Sequence, residues 1–212
     1  MHHEARHFVD WCMAQLGPFA AGCAVLDVGS GDINGNNRHY FGPDCTYTGC
    51  DVAPGPNVDV VSPCHELPYP PASFDVIVST ECLEHDMHWQ ATLRKVCELL
   101  RPGGAFVMTC ASTGRGEHGT NRCSASCSFT TRLGDPAWGD YYRNLTADDV
   151  AAAIPVQDVF PVHRFYYRSD SKDLYFYGIK ASPEDRLESW PEYAADAGDV
   201  LHVVLPNAAQ PT

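Results

Sequence analysis

Val25-Leu26-Asp27-Val28-Gly29-Ser30-Gly31 is a short apolar run that delivers an acid and then two glycines spaced by one. A run of this length reads as a buried parallel strand. The glycines mark a tight turn where the backbone approaches a ligand and a Cβ would clash or forbid the angles. Working outward, Tyr47-Thr48-Gly49-Cys50-Asp51-Val52 is a second strand ending in an acid, with Asp51 placed 20 residues after Gly31. Leu67-Pro68-Tyr69 then leads into Ser73-Phe74-Asp75-Val76-Ile77-Val78-Ser79, a loop feeding another buried strand. Leu99-Leu100-Arg101-Pro102-Gly103-Gly104-Ala105-Phe106-Val107-Met108 reads as a helix end, a Pro-Gly-Gly turn and a further strand.

The rest of the chain extends this alternation. Phe8, Trp11, Cys12 and Leu16 stand at helical spacing, so residues 3–16 form an amphipathic helix that Gly17-Pro18 ends. Strands are expected near 24–28, 46–50, 58–61, 74–79 and 104–110, with helical segments near 34–41 and 88–101. Thr146 before Ala147-Asp148-Asp149 is a helix cap with an acidic first turn. Two last strands, near 158–167 and 173–181, read as an antiparallel pair. Alternating strands and helices imply a mostly parallel sheet covered on both faces. Residues 112–145 interrupt the pattern with Gly, Ser, Thr, Arg and aromatics, as a lid or substrate loop does. The domain is therefore read as 1–181, followed by an acid-rich tail, 182–212, expected to be solvated. Ser182-Pro183-Glu184-Asp185 is a possible start of a short helix in it.

The ordered set over about residues 24–110 resembles the class I S-adenosylmethionine-dependent methyltransferases, of the type 11-like kind. The resemblance implies a Rossmann-like, doubly wound α/β sheet of seven strands in the order 3-2-1-4-5-7-6, the last strand antiparallel. It implies S-adenosylmethionine as cofactor. Gly29, Ser30 and Gly31 would bend around its methionine and ribose. Asp27 would set that loop by accepting backbone hydrogen bonds, and Asp51 would take the ribose hydroxyls. Val52 would cover adenine. Family members often place an acid before the L-P-Y loop; the corresponding position here is Pro63, which leaves Cys64 and His65 as substitutes. Thr80 and Glu81 would face the sulfonium.

Glu81-Cys82-Leu83-Glu84-His85 follows the fourth strand. Turned helically, it sets Glu81, Glu84 and His85 on one face. This E-x-x-E-H resembles a segment of O-methyltransferases acting on small-RNA 3′ ends and in ubiquinone biosynthesis, where it helps hold a divalent cation. Glu81, Glu84, His85 and, from the lid, His118 are thus candidate ligands for Mg²⁺ or Mn²⁺. Glu117 is another. Without metal, His85 or His118 is the general base, and Glu81 completes the catalytic set. The bland alternative is a Glu that satisfies loop amides beside a packed His. In the lid, Glu117, His118, Asp140, Tyr141, Tyr142 and Arg143 suit a polar ring, stacking its faces and bonding its hydroxyls. Tyr141 and Tyr142 would also pack the lid onto the core.

The chain has 212 residues, 44% of them hydrophobic, enough for one full core. With 14 basic and 27 acidic residues its net charge is −13, which disfavours nucleic acid and anionic membranes. No run approaches a membrane span, and the first residues lack a signal core, so a cytoplasmic location is expected. Ten cysteines lie largely in strands and helices and are expected as free thiols. Cys123 and Cys127 near His118 make half a zinc pattern without a second half. The functional expectation is O-methylation of a small polar acceptor, with a sugar or glycan the leading candidate. The alternatives are a quinone-like or other small metabolite, RNA 2′-OH methylation as the least favoured, and a non-catalytic binding module of the same fold.

Overall fold

A computed structural model of the chain describes residues 2–17, 22–183, 190–194 and 200–206. Its elements are α1 (His3–Leu16), β1 (Ala24–Val28), β2 (Thr46–Asp51), β3 (Val60–Val61), β4 (Phe74–Thr80), α2 (Trp89–Leu99) and β5 (Leu100–Ala111). They continue with α3 (Pro136–Gly139), α4 (Ala147–Ala153), α5 (Val156–Val159), β6 (Val162–Arg168), β7 (Asp173–Ile179) and β8 (Leu201–Val204). One sheet runs β3-β2-β1-β4-β5-β7-β6-β8. The first five strands pair in parallel, and β7 is antiparallel to both β5 and β6. The doubly wound order expected from the sequence is present, with an eighth strand added at the edge.

Period-two alternation along the strands feeds two cores. Phe106, Met108 and Cys110 of β5 join Leu26, Ile77 and Phe176 beneath α2, α4 and α5. Ala105 and Val107 join Val25, Val78 and Tyr175 beneath α1, whose Phe8, Val9 and Cys12 are fully buried. Both faces being covered, the central strands read as continuous apolar runs. Thr146 forms a full capping box with Asp149 at the start of α4.

Four expectations are corrected. The helix near 34–41 is only a 3₁₀ turn over Arg38–Tyr40, bounded by Gly35 at φ 121° and by Gly42-Pro43. The strand expected from 158 begins at Val162, because Val156–Val159 turns helically after Pro155. The strand near 58–61 is reduced to Val60–Val61.

The tail is the fourth correction, since its described part is docked rather than solvated. Leu201–Val204 pairs with β6 from Phe165↔Val204 to Arg168↔Leu201. Tyr193 sits edge-on to Phe8 at 5.1 Å, and Trp190 stacks on Tyr177 at 4.6 Å. Aromatic burial outweighs the acidity of the neighbouring residues. The helix start expected at residues 182–185 extends past residue 183 onto residues outside those described. No described helix is long and apolar enough to cross a membrane. None of the ten cysteines is in a disulfide. Among the described residues, no metal-ligand grouping includes Cys123 or Cys127.

Candidate active site

The carboxyl ends of β1, β2 and β4 open into one cavity, where open α/β sheets bind ligands. Gly29 and Ser30 both donate their amides to Cys50 O, which ties the glycine turn to β2. Gly29 has φ 74°. A Cβ there would lie 2.5 Å from Cys82 Cβ, so the loop after β4 by itself requires this glycine. At Gly31 a Cβ would lie 2.6 Å from the Phe129 ring, which the lid lays over the turn. Ser30 Oγ is spent on Asn57 O at 3.0 Å.

Asp51 accepts from Gly31 N at 2.9 Å and Val52 N at 2.7 Å, so it clamps the turn while facing the cavity. Burial pushes its carboxyl above the usual range, against the pull of those amides. Asp27 departs from expectation: it accepts from the Tyr47 hydroxyl and from Asn37 Nδ2, not from backbone amides. Burial raises it to about 6, the two side-chain bonds opposing. Asn37 also donates to Thr80 Oγ1 at 3.1 Å, so it joins the ends of β1 and β4. Its Oδ1 is buried without a partner. Val52 and Cys64 line the cavity as expected. His65 does not; its ring lies 4.5 Å from His88 and faces a separate shallow hollow with Glu66 and Leu133.

The E-x-x-E-H segment is a turn, not a helix. Glu81 continues the sheet, donating its amide to Thr109 O, but at φ 51°. His85 N then reaches Cys82 O, and α2 begins only at Trp89. Asp86 holds that later start, accepting from His88 N at 2.7 Å and Thr92 Oγ1 at 2.5 Å. The left-handed residue sends Glu81 away from Glu84 and His85. The four candidate ligands therefore separate. Glu84, His85 and His118 stay together, and Glu81 joins His2 and Asp173.

In the first group Glu84 is fully buried and neither carboxyl oxygen has a side-chain partner. Burial, then Glu81, drives it well up toward the protonated form. His85 is pressed down to about 3 by burial and then by His118, so it is neutral at physiological pH. Its ring meets His118 edge-on at 5.1 Å, and Tyr142 packs on both. In the second group the carboxylates of Asp173 and Glu81 outweigh the burial of His2 and lift it to about 10. Glu81 is lowered in turn, His2 overriding its burial. Asp173 is raised by burial against His2.

Most of the expected lid contacts are used elsewhere. Glu117 bonds Thr120 and pairs with Arg122, and Asp140 also faces Arg122. Arg143 pairs with Asp149 at 2.6 Å and lies over Trp89, while Tyr141 packs against the core. None of these four lines the cavity. Tyr142 reaches its edge through the two histidines, and its hydroxyl donates to Gly116 O. The lid residues that do line the cavity are Arg115, His118, Cys127, Ser128, Phe129, Thr130 and Trp138. Sequence reasoning missed Phe129, although a single large apolar residue in the polar run Cys127-Ser128-Phe129-Thr130 was a visible signal. It missed His2 and Asn37, for which no local signal exists.

A family model described as a methyltransferase domain matches residues 26–108, less than half of the chain. Human thiol S-methyltransferase TMT1A is 30% identical over 54% of this chain and 50% of its own. The 27-O-demethylrifamycin SV methyltransferase of Amycolatopsis mediterranei is 32% identical over 45% of this chain and 41% of its own. The chain thus spans about half or less of the curated relatives it matches. Among solved structures, 1,6-didemethyltoxoflavin-N1-methyltransferase of Burkholderia thailandensis, holding 1,6-didemethyltoxoflavin and S-adenosylhomocysteine, superposes with a TM-score of 0.53 at 20% identity. It covers 80% of this chain and 76% of that one. Haemonchus contortus phosphoethanolamine N-methyltransferase 2 with S-adenosylmethionine gives 0.55 at 15%, over 80% and 51%. At such identities the structural likeness is one of fold.

Proposed function

We infer that this chain, whose fold is that of the class I S-adenosylmethionine-dependent methyltransferases, is one of them and methylates a small, flat metabolite. The observation that carries the reading is one cavity lined by Gly29–Gly31 and Asp51 at one end and by Glu81, His85 and His118 at the other. The residues fit the cofactor. Asp51 keeps acceptor capacity toward the cavity beyond its two amide bonds, as ribose hydroxyls require. Asn37 Oδ1 is an unpartnered buried acceptor beside Asp27 and Thr80.

S-adenosylmethionine, when bound, supplies an electrophilic methyl on a sulfonium. The protein's part is to align the acceptor, exclude water and take its proton. His118 reaches the cavity and has Nδ1 against Gly116 O, which leaves Nε2 for the proton of an acceptor hydroxyl. His85, held neutral by burial, backs that ring without adding charge. Phe129 and the lid base close the site: Ser112 Oγ donates to Leu145 O and Leu145 N to Ala111 O.

The acceptor class follows from what lines this end. The His85 and His118 rings, with Tyr142 packed on both, offer aromatic surface, which suits a quinone-like or other flat ring. A sugar or glycan is less well served, because Glu117, Asp140 and Arg143 are committed to ion pairs within the lid and α4. The test is calorimetry with S-adenosylhomocysteine, then methyl transfer to a panel of phenols, quinols and sugars. His118→Ala is expected to lower turnover about a hundredfold, the usual scale of a general base, with S-adenosylhomocysteine affinity unchanged. Absence of S-adenosylhomocysteine binding refutes the reading.

A further inference from the structure

The group His2, Glu81 and Asp173 is not needed by the step just described. It joins three distant elements: the residue before α1, the end of β4 and the first residue of β7. His2 Nε2 stands 2.9 Å from Asp173 Oδ2 and 3.3 Å from Glu81 Oε2. Asp173 is fully buried, yet its Oδ2 has no hydrogen bond of proper geometry, and neither has His2 Nε2. Close approach without N–H alignment is the arrangement of donor atoms that share a centre lying between them.

The two separations from His2 Nε2 agree with such a centre. Donors about 2.1 Å from one divalent ion lie about 3.0–3.4 Å apart at octahedral or tetrahedral angles. The other ring nitrogen, His2 Nδ1, is 2.9 Å from Glu4 Oε2. A carboxylate on the far nitrogen fixes the tautomer and points the free lone pair at the metal, as in most histidine-ligated sites. His2 and Glu81 also line the cavity, so open coordination positions face it.

We propose that His2 Nε2, Glu81 and Asp173 form a binding site for a divalent first-row cation, oriented by Glu4 and open toward the cavity. One imidazole and two carboxylates suit Mn²⁺, Fe²⁺ or Zn²⁺ better than Mg²⁺, which prefers oxygen alone. Binding here joins the residue before α1 to the residue after β4 and the first residue of β7. It is separate from Glu84, His85 and His118, and it does not depend on the methyl-transfer reading.

The test is Mn²⁺ binding to the full chain without a polyhistidine tag, at about pH 8, where the ion has to displace the proton that the two carboxylates hold on the imidazole. Free Mn²⁺ is followed by electron paramagnetic resonance, and thermal unfolding is recorded with and without the ion. One Mn²⁺ per chain is expected. His2→Ala and Asp173→Asn are each expected to weaken it at least tenfold, and Glu4→Gln about tenfold. His118→Ala is expected to leave it unchanged. No binding up to about millimolar Mn²⁺, binding that survives His2→Ala, or binding lost in His118→Ala overturns the proposal. Because Asp173 is buried, its variant counts only if it unfolds cooperatively; His2→Ala decides the matter alone otherwise. Mn²⁺ bound at this site by a chain that ignores S-adenosylhomocysteine would refute the proposed function and leave the cation site standing.

Discussion

Replacing Asp27 with asparagine isolates the electrostatic cost of the acid that ends β1. Asp27 is fully buried, and its carboxyl is raised from an ordinary 3.8 to about 6. A raised carboxyl binds its proton more tightly in the folded state. Its contribution to stability is therefore complete below pH 3.8 and is lost as the pH rises through about 6. The full loss is about 2.2 pH units at 1.36 kcal/mol each, or about 3 kcal/mol. Between about pH 4.5 and about pH 7.5 the part that falls in the window is about 2 kcal/mol. The asparagine amide mimics the protonated acid and has no such loss. The measurement is urea unfolding of both proteins at several pH values, taking the difference between them at each. Titrating groups that do not touch Asp27 cancel in that difference; Asp51, coupled to it, does not fully cancel. Relative to wild type, Asp27→Asn is expected to gain about 2 kcal/mol across the window. A difference that stays flat within about 0.5 kcal/mol would show that Asp27 does not pay this burial penalty, and the account of the Tyr47–Asp27–Asn37 network would fail.

Asp51→Ala removes an acceptor that faces the cavity and, on the proposed ribose role, is expected to weaken S-adenosylhomocysteine by about 1.5–3 kcal/mol in calorimetry; unchanged affinity in a folded variant rejects the ribose assignment. Gly29→Ala combines a left-handed backbone, about 1–2 kcal/mol, with overlap on Cys82, about 1–3 kcal/mol. Its penalty belongs in unfolding measurements, and full stability with abolished cofactor binding would restore the idea that this glycine makes room for a ligand. Tyr193→Ala opens the aromatic cluster with Phe8, Trp11 and Tyr166 and is expected to cost about 3 kcal/mol of stability. A loss below about 0.5 kcal/mol, the scale of ordinary surface changes, would return the tail to the role of a solvated appendage.

The sheet was legible in the linear chain because each central strand is buried on both faces and so appears as a mostly apolar string. Val25–Val28, Phe74–Ser79 and Ala105–Met108 announce themselves without reference to their neighbours. Gly29, Gly31 and Asp51 were legible for a related reason: a turn's backbone angles and a strand's last residue are local properties. Even so, the partner that makes Gly29 necessary is Cys82, more than fifty residues away, and Asp27 meets side chains of Tyr47 and Asn37 where amides were expected.

The E-x-x-E-H segment shows where local reading ends. Its spacing puts three ligands on one face only if the backbone is helical, and the positive φ of Glu81 breaks that premise. That angle is held by the β4–β5 ladder and by His2 and Asp173, which arrive from opposite ends of the chain. The lid is similar. Its composition marked residues 112–145 as a binding loop, but whether Arg143 faces a ligand or Asp149 depends on where α4 docks. The sequence by itself determined the backbone's path through the sheet, because burial and turn geometry are written in neighbouring residues. Only the tertiary structure decided which charged side chains meet, because a charge leaving water takes whichever opposite charge or hydrogen-bond partner the folded chain brings within reach.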